Sequence, residues 1–206
     1  MKRLFKNFKS DDGFTIIELV ISIFVLSIAI SGIFSAFSIM LILTSDSANR
    51  LTAIYLAQEG MEIVRNIRDN NWLNMDTCAA DSGCTPNTYT WLDGLNCVSG
   101  CEADYTLTEL HSFSGDYLKI DANGFYNSTG GVQTKFERKI IITQIPDVNN
   151  QPDDHIIKVI AQVSWDQKAT ILNPGVKADT CNQPGGPSNC ITVEETLYDW
   201  YNYVNQ

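Results

Sequence analysis

The chain has 206 residues, 44% of them hydrophobic, and a formal net charge of −10. This length fits one ordinary domain with at most a small appendage. Lys and Arg number 14 against 24 Asp and Glu, and phosphate binding needs a basic surface, so this composition argues against nucleic acid as a main partner.

Residues 1–13 form a short basic leader that ends in glycine. Its four cations, Lys2, Arg3, Lys6 and Lys9, place it on the cytoplasmic side by the positive-inside rule. Removing the leader leaves 10 of the 14 cations and 22 of the 24 anions, and hence a charge of −12. Such an acidic remainder suits a surface exposed to bulk solvent.

Residues 14–43 form the apolar first half of a predicted helix. This stretch of 30 residues holds one charged residue, Glu18. It exceeds the ~20 residues that cross a bilayer, and it is too long for the 7–15 or so apolar residues of a secretory signal. We therefore expect it to span the membrane in the mature protein. Its small residues suit close helix packing in lipid; they are Ser22, Ser27, Ala29, Ser31, Gly32, Ser35, Ala36 and Ser38.

Residues 44–70 continue the helix as an amphipathic half. Apolar residues recur here every three or four positions, as on one face of a helix; they are Leu51, Ile54, Ala57, Met61, Val64 and Ile67. The Asp69-Asn70-Asn71 cluster predicts the end of the helix. The result is one helix of about 56 residues, about 84 Å long at 1.5 Å per residue.

Residues 71–206 are predicted to form a β-domain. Residues 71–104 have the composition of a loop, under which Trp72 and Trp91 are expected to pack. Asn123-Gly124 is typical of a hairpin turn. The strands predicted from alternating apolar residues and turn signals cover residues 117–120, 125–126, 134–145, 156–165 and 191–198. A helix followed by an antiparallel meander gives an α+β fold, with the amphipathic half of the helix covering one face of the sheet.

The six cysteines all follow the apolar segment. They are Cys78, Cys84, Cys97, Cys101, Cys181 and Cys190. An even count on one side of a membrane span indicates an oxidising compartment and disulfides. The competing interpretation is zinc, but the local spacings C-x5-C, C-x3-C and C-x8-C do not follow the usual C-x2-4-C pairs. Sequential pairing and a nested pairing of the first four cysteines both remain open.

The stretch from Gly13 to Val20, GFTIIELV, together with the basic leader and the apolar helix, resembles the N-terminal signature of type IV prepilins and of the pseudopilins of type II secretion. The resemblance implies cleavage after Gly13 by a prepilin peptidase, which then methylates the new amine on Phe14. It also implies that the carboxylate of Glu18 meets this amine on a neighbouring subunit. The chain is most similar to a minor pilin, because many major pilins have a mid-membrane proline that is absent here.

The same resemblance implies partners and a location. Partners would be other pilin subunits, in a homo- or hetero-filament, and an inner-membrane assembly platform. The subunit would be a single-pass inner-membrane protein before assembly and part of an extracytoplasmic filament at the cell surface afterwards. Glu18 has an alternative reading as an interfacial residue that the helix N-terminus stabilises, whereas a carboxylate inside the bilayer calls for a partner.

No catalytic or cofactor motif accompanies this signature, so we expect a structural subunit, without a cofactor or metal, rather than an enzyme. His111 and His155 lack metal-ligand spacing. The acidic segment 147–154 has oxygen ligands for Ca²⁺ but not EF-hand spacing, and a solvated turn is the simpler interpretation. The basic residues Lys135, Arg138 and Lys139 are interpreted as a solvated strand face.

Two alternatives to a pilus subunit stay open. One is a pseudopilin of a type II secretion or DNA-uptake system. The other belongs to a different class, a single-span membrane-anchored extracytoplasmic binding domain, for which the glycine-aromatic-glutamate pattern would be a coincidence.

Overall fold

The computed structural model describes residues 13–80, 90–105, 109–146, 151–166, 181 and 189–200, without the side chains of residues 76–80, 152 and 154. Contacts within the chain divide it into two compact units, Met1–Ser47 and Ala48–Gln206. One long N-terminal helix precedes antiparallel strands. The predicted α+β fold is therefore confirmed.

Helix α1 spans Ile16–Ala80, 65 residues. It begins two residues later than expected, and the predicted end at Asp69-Asn70-Asn71 is wrong. The side-chain amide of Asn71 donates hydrogen bonds to the carbonyl oxygens of Trp91 (3.1 Å) and Asp93 (2.7 Å). Because this amide bonds to a distant segment, it does not compete with the helix backbone at its own position. Residues 71–80, expected to be loop, are therefore helical.

The part of α1 in the first unit is apolar on every side. Its large apolar side chains from Ile16 to Leu43 are exposed, apart from Ile42, which is half-buried. The segment Ile16–Met75 contains a window long and apolar enough to cross a membrane, and none of that window is buried within the protein. A helix that is hydrophobic all round needs an apolar environment, so this half agrees with the predicted span.

The strands of the second unit form two sheets. The five-stranded sheet has the order β2-β1-β6-β7-β8, and the three-stranded sheet has the order β4-β3-β5; every pair is antiparallel. The strands are β1 Cys101–Glu102, β2 His111–Ser112, β3 Lys119–Ile120, β4 Tyr126–Asn127, β5 Val132–Gln133, β6 Phe136–Pro146, β7 Pro152–Trp165 and β8 Cys190–Tyr198.

The three long strands confirm the predictions made from alternation and turn signals, with ends that coincide or shift by at most four residues. The hairpin around Asn123-Gly124 is also confirmed, since Ile120 pairs with Tyr126 across it. The two-residue strands β1, β2 and β5 were not predicted. They are too short to show alternation, and β1 lies in the segment read as loop.

The core of the second unit lies between the amphipathic part of α1 and the inner face of the five-stranded sheet. Leu56 and Val64 of the helix and Val159 and Trp165 of β7 are each at most 2% exposed. Burying a side chain of this size stabilises the fold by about 1.5–3 kcal/mol. The helix therefore covers one face of the sheet, as expected.

One basic residue lies in this core. Arg138 on β6 is 2% exposed, so its assignment to a solvated strand face was wrong. It shares the inward parity of Phe136 and Ile140, which are buried as well. Strand alternation alone would have predicted an inward-facing side chain at residue 138. The positive charge favoured the opposite interpretation, a solvated position.

Candidate functional site

The start of α1 is set by Thr15. Gly13, Phe14 and Thr15 are not helical, and the helix begins at Ile16. The Thr15 Oγ1 atom accepts a hydrogen bond from the backbone N–H of Glu18 (3.3 Å). The carbonyl oxygen of Thr15 accepts one from the backbone N–H of Leu19 (3.2 Å). Thr15 is therefore the N-cap, with Glu18 three residues on, the arrangement of a capping box.

The bond between Gly13 and Phe14 is accessible. Gly13 is exposed, and a Cβ atom added to it would meet nothing within 4 Å. Phe14 is 81% exposed. A peptidase that needs an exposed, non-helical peptide would meet one here. Cleavage at this bond and methylation of Phe14 remain predictions.

Glu18 lies in the first turn of the helix and is exposed. Backbone N–H groups at a helix N-terminus favour a negative charge. Within the described residues Glu18 has no ion pair, and it is the only charged residue between Phe14 and Leu43. The carboxylate is thus placed at the end of an apolar helix, and the described residues supply no countercharge for it.

Serine hydroxyls in the apolar half are bonded within the helix itself. Each donates to the carbonyl oxygen four residues earlier at 2.7–3.0 Å. The five are Ser22, Ser27, Ser31, Ser35 and Ser38. Their donors are satisfied, so they add small volume to the helix surface without an unpaired polar group.

The described part of the second unit holds two disulfides. Cys97 pairs with Cys101 and Cys181 with Cys190, with Cα atoms 5.8 Å and 5.6 Å apart. Both pairs belong to the sequential arrangement. The Cys78 side chain and the whole of Cys84 lie outside the described residues, so the third predicted pair stays a prediction.

An aromatic cluster joins α1 to Trp91 and to the residues that follow β8. Trp72 stacks on Trp91 with ring centroids 6.4 Å apart and meets Trp200 edge-on at 4.6 Å. Its indole N–H donates to the Oδ1 atom of Asp199, which is 2% exposed (3.3 Å). The guanidinium of Arg68 lies 4.5 Å from the Trp72 ring. The prediction that Trp72 and Trp91 are packed is confirmed.

A second link joins α1 to β8. Arg65 donates from Nε to Glu195 (3.1 Å) and also pairs with Glu62 one turn earlier. The hydrogen bond to Glu195 is the main reason that the pKa of Arg65 is raised. Because these side chains are partly exposed, solvent screening leaves such pairs a modest stabilising role.

The described residues contain no group of three or more His, Cys, Asp and Glu side chains able to hold a metal ion. Asp153 of the acidic segment accepts a hydrogen bond from the His155 backbone (2.8 Å). Residues 147–150 lie outside the described residues, so the interpretation of this loop as a solvated turn rather than a Ca²⁺ site stays a prediction.

Comparison with known proteins locates the functional signal at the N-terminus. A family model described as a prokaryotic N-terminal methylation motif matches residues 8–34. The match includes Gly13, Phe14 and Glu18. No curated protein and no solved structure matches the chain.

The matched motif and the apolar helix are both features of prepilin-type precursors, and together they suggest a membrane-anchored precursor. The match supports a likeness to type IV pilin-like precursors over residues 8–34.

Proposed function

We propose that this protein is a structural, non-enzymatic subunit of a type IV pilus-like filament. After cleavage at Gly13 and methylation of Phe14, subunits assemble through parallel packing of their apolar helices. Head-to-tail contacts of this heterologous kind build an open helical filament. The β-domain then lies on the outside, facing solvent.

The observation that carries the proposal is the position of Glu18. Its carboxylate lies four residues after Phe14, at the capped start of a helix with no other charge up to Leu43. Cleavage creates a cation on Phe14 at the same end of the helix. A carboxylate that is costly alone and neutralised by a neighbour's amine makes addition of a subunit selective.

The test replaces Glu18 by glutamine, which keeps the shape and removes the charge. Removing one partner of a buried ion pair costs about 3–5 kcal/mol, so we expect Glu18→Gln protein to be cleaved and folded but largely absent from filaments. The measurement is the ratio of filament-incorporated subunit to the membrane pool.

Glu62→Gln provides the matched control, because it makes the same chemical change on the amphipathic half of the same helix, where Glu62 is exposed. This control should assemble normally. An unchanged ratio for Glu18→Gln would rule out the pairing role and leave Glu18 as a residue that stabilises the helix end.

Immunogold labelling of sheared filaments then distinguishes the two kinds of subunit. Sparse or terminal label would favour a minor subunit, and label along the shaft would favour a major one.

A pseudopilin of a secretion or DNA-uptake system is the second candidate, because the same N-terminal motif serves it. A short periplasmic fibre in place of a surface filament would distinguish it. A single-span anchored binding domain would keep its leader and would not depend on Glu18.

A further inference from the structure

The guanidinium of Arg138 joins three parts of the second unit. Its Nη1 donates to the carbonyl oxygen of Leu56 in α1 (3.0 Å), and its Nη2 donates to that of Ala103 (2.6 Å). Nη1 also lies 3.3 Å from the carboxylate of Glu59. The side chain is 0% exposed, so β6 reaches both the helix and the segment after β1 through one buried cation.

Gly60 makes room for this contact. A Cβ atom at this position would lie 3.1 Å from Arg138 Cδ and 2.8 Å from Ile140 Cδ1. The absence of a side chain lets the strand approach the helix one turn after Leu56. A buried cation costs several kcal/mol unless its partners are well placed, so the helix carbonyl and Glu59 are needed to keep it there.

The segment that Arg138 holds carries a disulfide. In the sheet, Cys101 of β1 lies opposite Ile140 of β6 as its antiparallel partner. The Cys97 carbonyl oxygen accepts a hydrogen bond from the backbone N–H of Ile142 (2.9 Å). Ala103 follows Cys101 by two residues. Both sulfur-bearing residues are buried, at 3% and 6% exposure. The disulfide is thus flanked by the β6 ladder on one side and by the Arg138 contact on the other.

We propose that Arg138 is a latch that couples docking of α1 on the sheet to closure of the segment 97–104 with its Cys97–Cys101 disulfide. When the latch is intact, a thiolate cannot reach the sulfur atoms. When it is broken, this segment can open locally while the rest of the sheet stays paired. The disulfide's resistance to reduction then reports whether the helix is docked.

The test uses dithiothreitol on the full-length chain under native conditions. One thiolate of the reagent attacks a disulfide sulfur, and its second thiol completes the exchange, giving two cysteine thiols and the cyclic oxidised reagent. Alkylation and peptide mass spectrometry follow each cysteine pair. The pair Cys181–Cys190 serves as the internal reference, because Cys190 lies on β8, two strands from Arg138, and neither of the carbonyl groups that Arg138 bonds belongs to that disulfide's segment.

For Arg138→Met we expect reduction of Cys97–Cys101 to be about tenfold faster or more, the effect of losing hydrogen bonds to a charged group. Reduction of Cys181–Cys190 should change by less than about twofold. Lys158→Met is the control, because it removes an exposed cation paired with Glu194 (2.6 Å), and it should alter neither rate. Equal acceleration of both disulfides would mean general destabilisation, and no acceleration would mean no latch; either result overturns the proposal.

A second variant decides the matter if Arg138→Met does not fold. Glu59→Gln keeps both carbonyl contacts and removes the carboxylate that lies 3.3 Å from the buried cation, while Asp104 and Glu102 remain as more distant countercharges. It should accelerate reduction of Cys97–Cys101 selectively, by a smaller factor than Arg138→Met. An unchanged ratio of the two disulfide rates in this variant would also contradict the proposal.

Discussion

Asp121 organises the turn between β3 and β4 with a single side chain. Its Oδ1 accepts hydrogen bonds from the backbone N–H groups of Asn123 (2.8 Å) and Phe125 (2.9 Å), and its Oδ2 accepts one from the hydroxyl of Tyr105 (2.9 Å). The bond from Phe125 is the main reason that the pKa of Asp121 is lowered. Gly124 completes the turn with a φ of +89°.

Gly131 at the start of the β5 region is under a tighter constraint than Gly124. Both have positive φ, at +121° and +89°, but a Cβ at Gly131 would lie 2.1 Å from the Ile120 carbonyl oxygen, whereas one at Gly124 would meet nothing within 4 Å. Gly124→Ala should therefore cost about 1–2 kcal/mol through its backbone conformation alone.

Gly131→Ala should cost at least twice as much as Gly124→Ala, because backbone atoms must also move apart. Thermal unfolding followed by circular dichroism on the full chain gives both values. Equal midpoints for the two variants would show that the small sheet relaxes at no cost.

At the scale of elements, the sequence predicted α1 correctly except for its C-terminal turns. Apolar residues at helical spacing predicted the helix from residue 14 to about residue 70. Asn71 is a good helix terminator locally, and only its distant acceptors on Trp91 and Asp93 reverse that preference. Such contacts depend on the folded chain, so the last turns could not have been foreseen.

Asn71→Ala tests this explanation. The variant leaves two carbonyl oxygens, one of them on buried Trp91, without their donor, which should cost about 1–3 kcal/mol. Asn70→Ala is the matched control, because Asn70 is exposed and, among the described residues, its side-chain amide bonds to Asn66 in the same helix. It should be neutral or slightly stabilising, since alanine favours helix. A chemical denaturation series compares the two; equal midpoints would contradict the role of Asn71.

At the scale of the whole molecule, the sequence predicted the α+β architecture and the N-terminal motif from local patterns alone. The apolar segment, the patterns of β6, β7 and β8, and the glycine-aromatic-glutamate spacing each needed about 30 consecutive residues or fewer. The buried site of Arg138 needed the pairing of distant segments. In the sequence, Arg138 alternates in step with the apolar residues Phe136 and Ile140. Because buried cations are rare, it was nevertheless assigned to the solvated face of the strand.

The N-terminus of the mature protein distinguishes the possible fates of the whole chain. We expect it to begin with N-methylated Phe14, because a peptidase can reach the Gly13–Phe14 bond. An uncleaved anchor would begin at Met1, and a product of ordinary signal cleavage near Ala48. N-terminal sequencing with intact mass measurement separates the three.

Gly13→Leu supplies the companion variant. A bulky side chain should block the peptidase, so the full-length chain should stay in the inner membrane, held by its basic leader. Gly13→Ala should only slow cleavage. Normal processing of Gly13→Leu would contradict the assignment of this bond.

The serine hydroxyls of α1 have a consequence for the life of the subunit before assembly. Because each donor is satisfied by its own helix, these serines give a solitary span no reason to associate with another in the bilayer. Glu18 is then the one charged group of the apolar half that gains from a partner. In the proposed assembly, entry of a subunit into the filament therefore depends on this carboxylate and not on hydrogen bonds between spans.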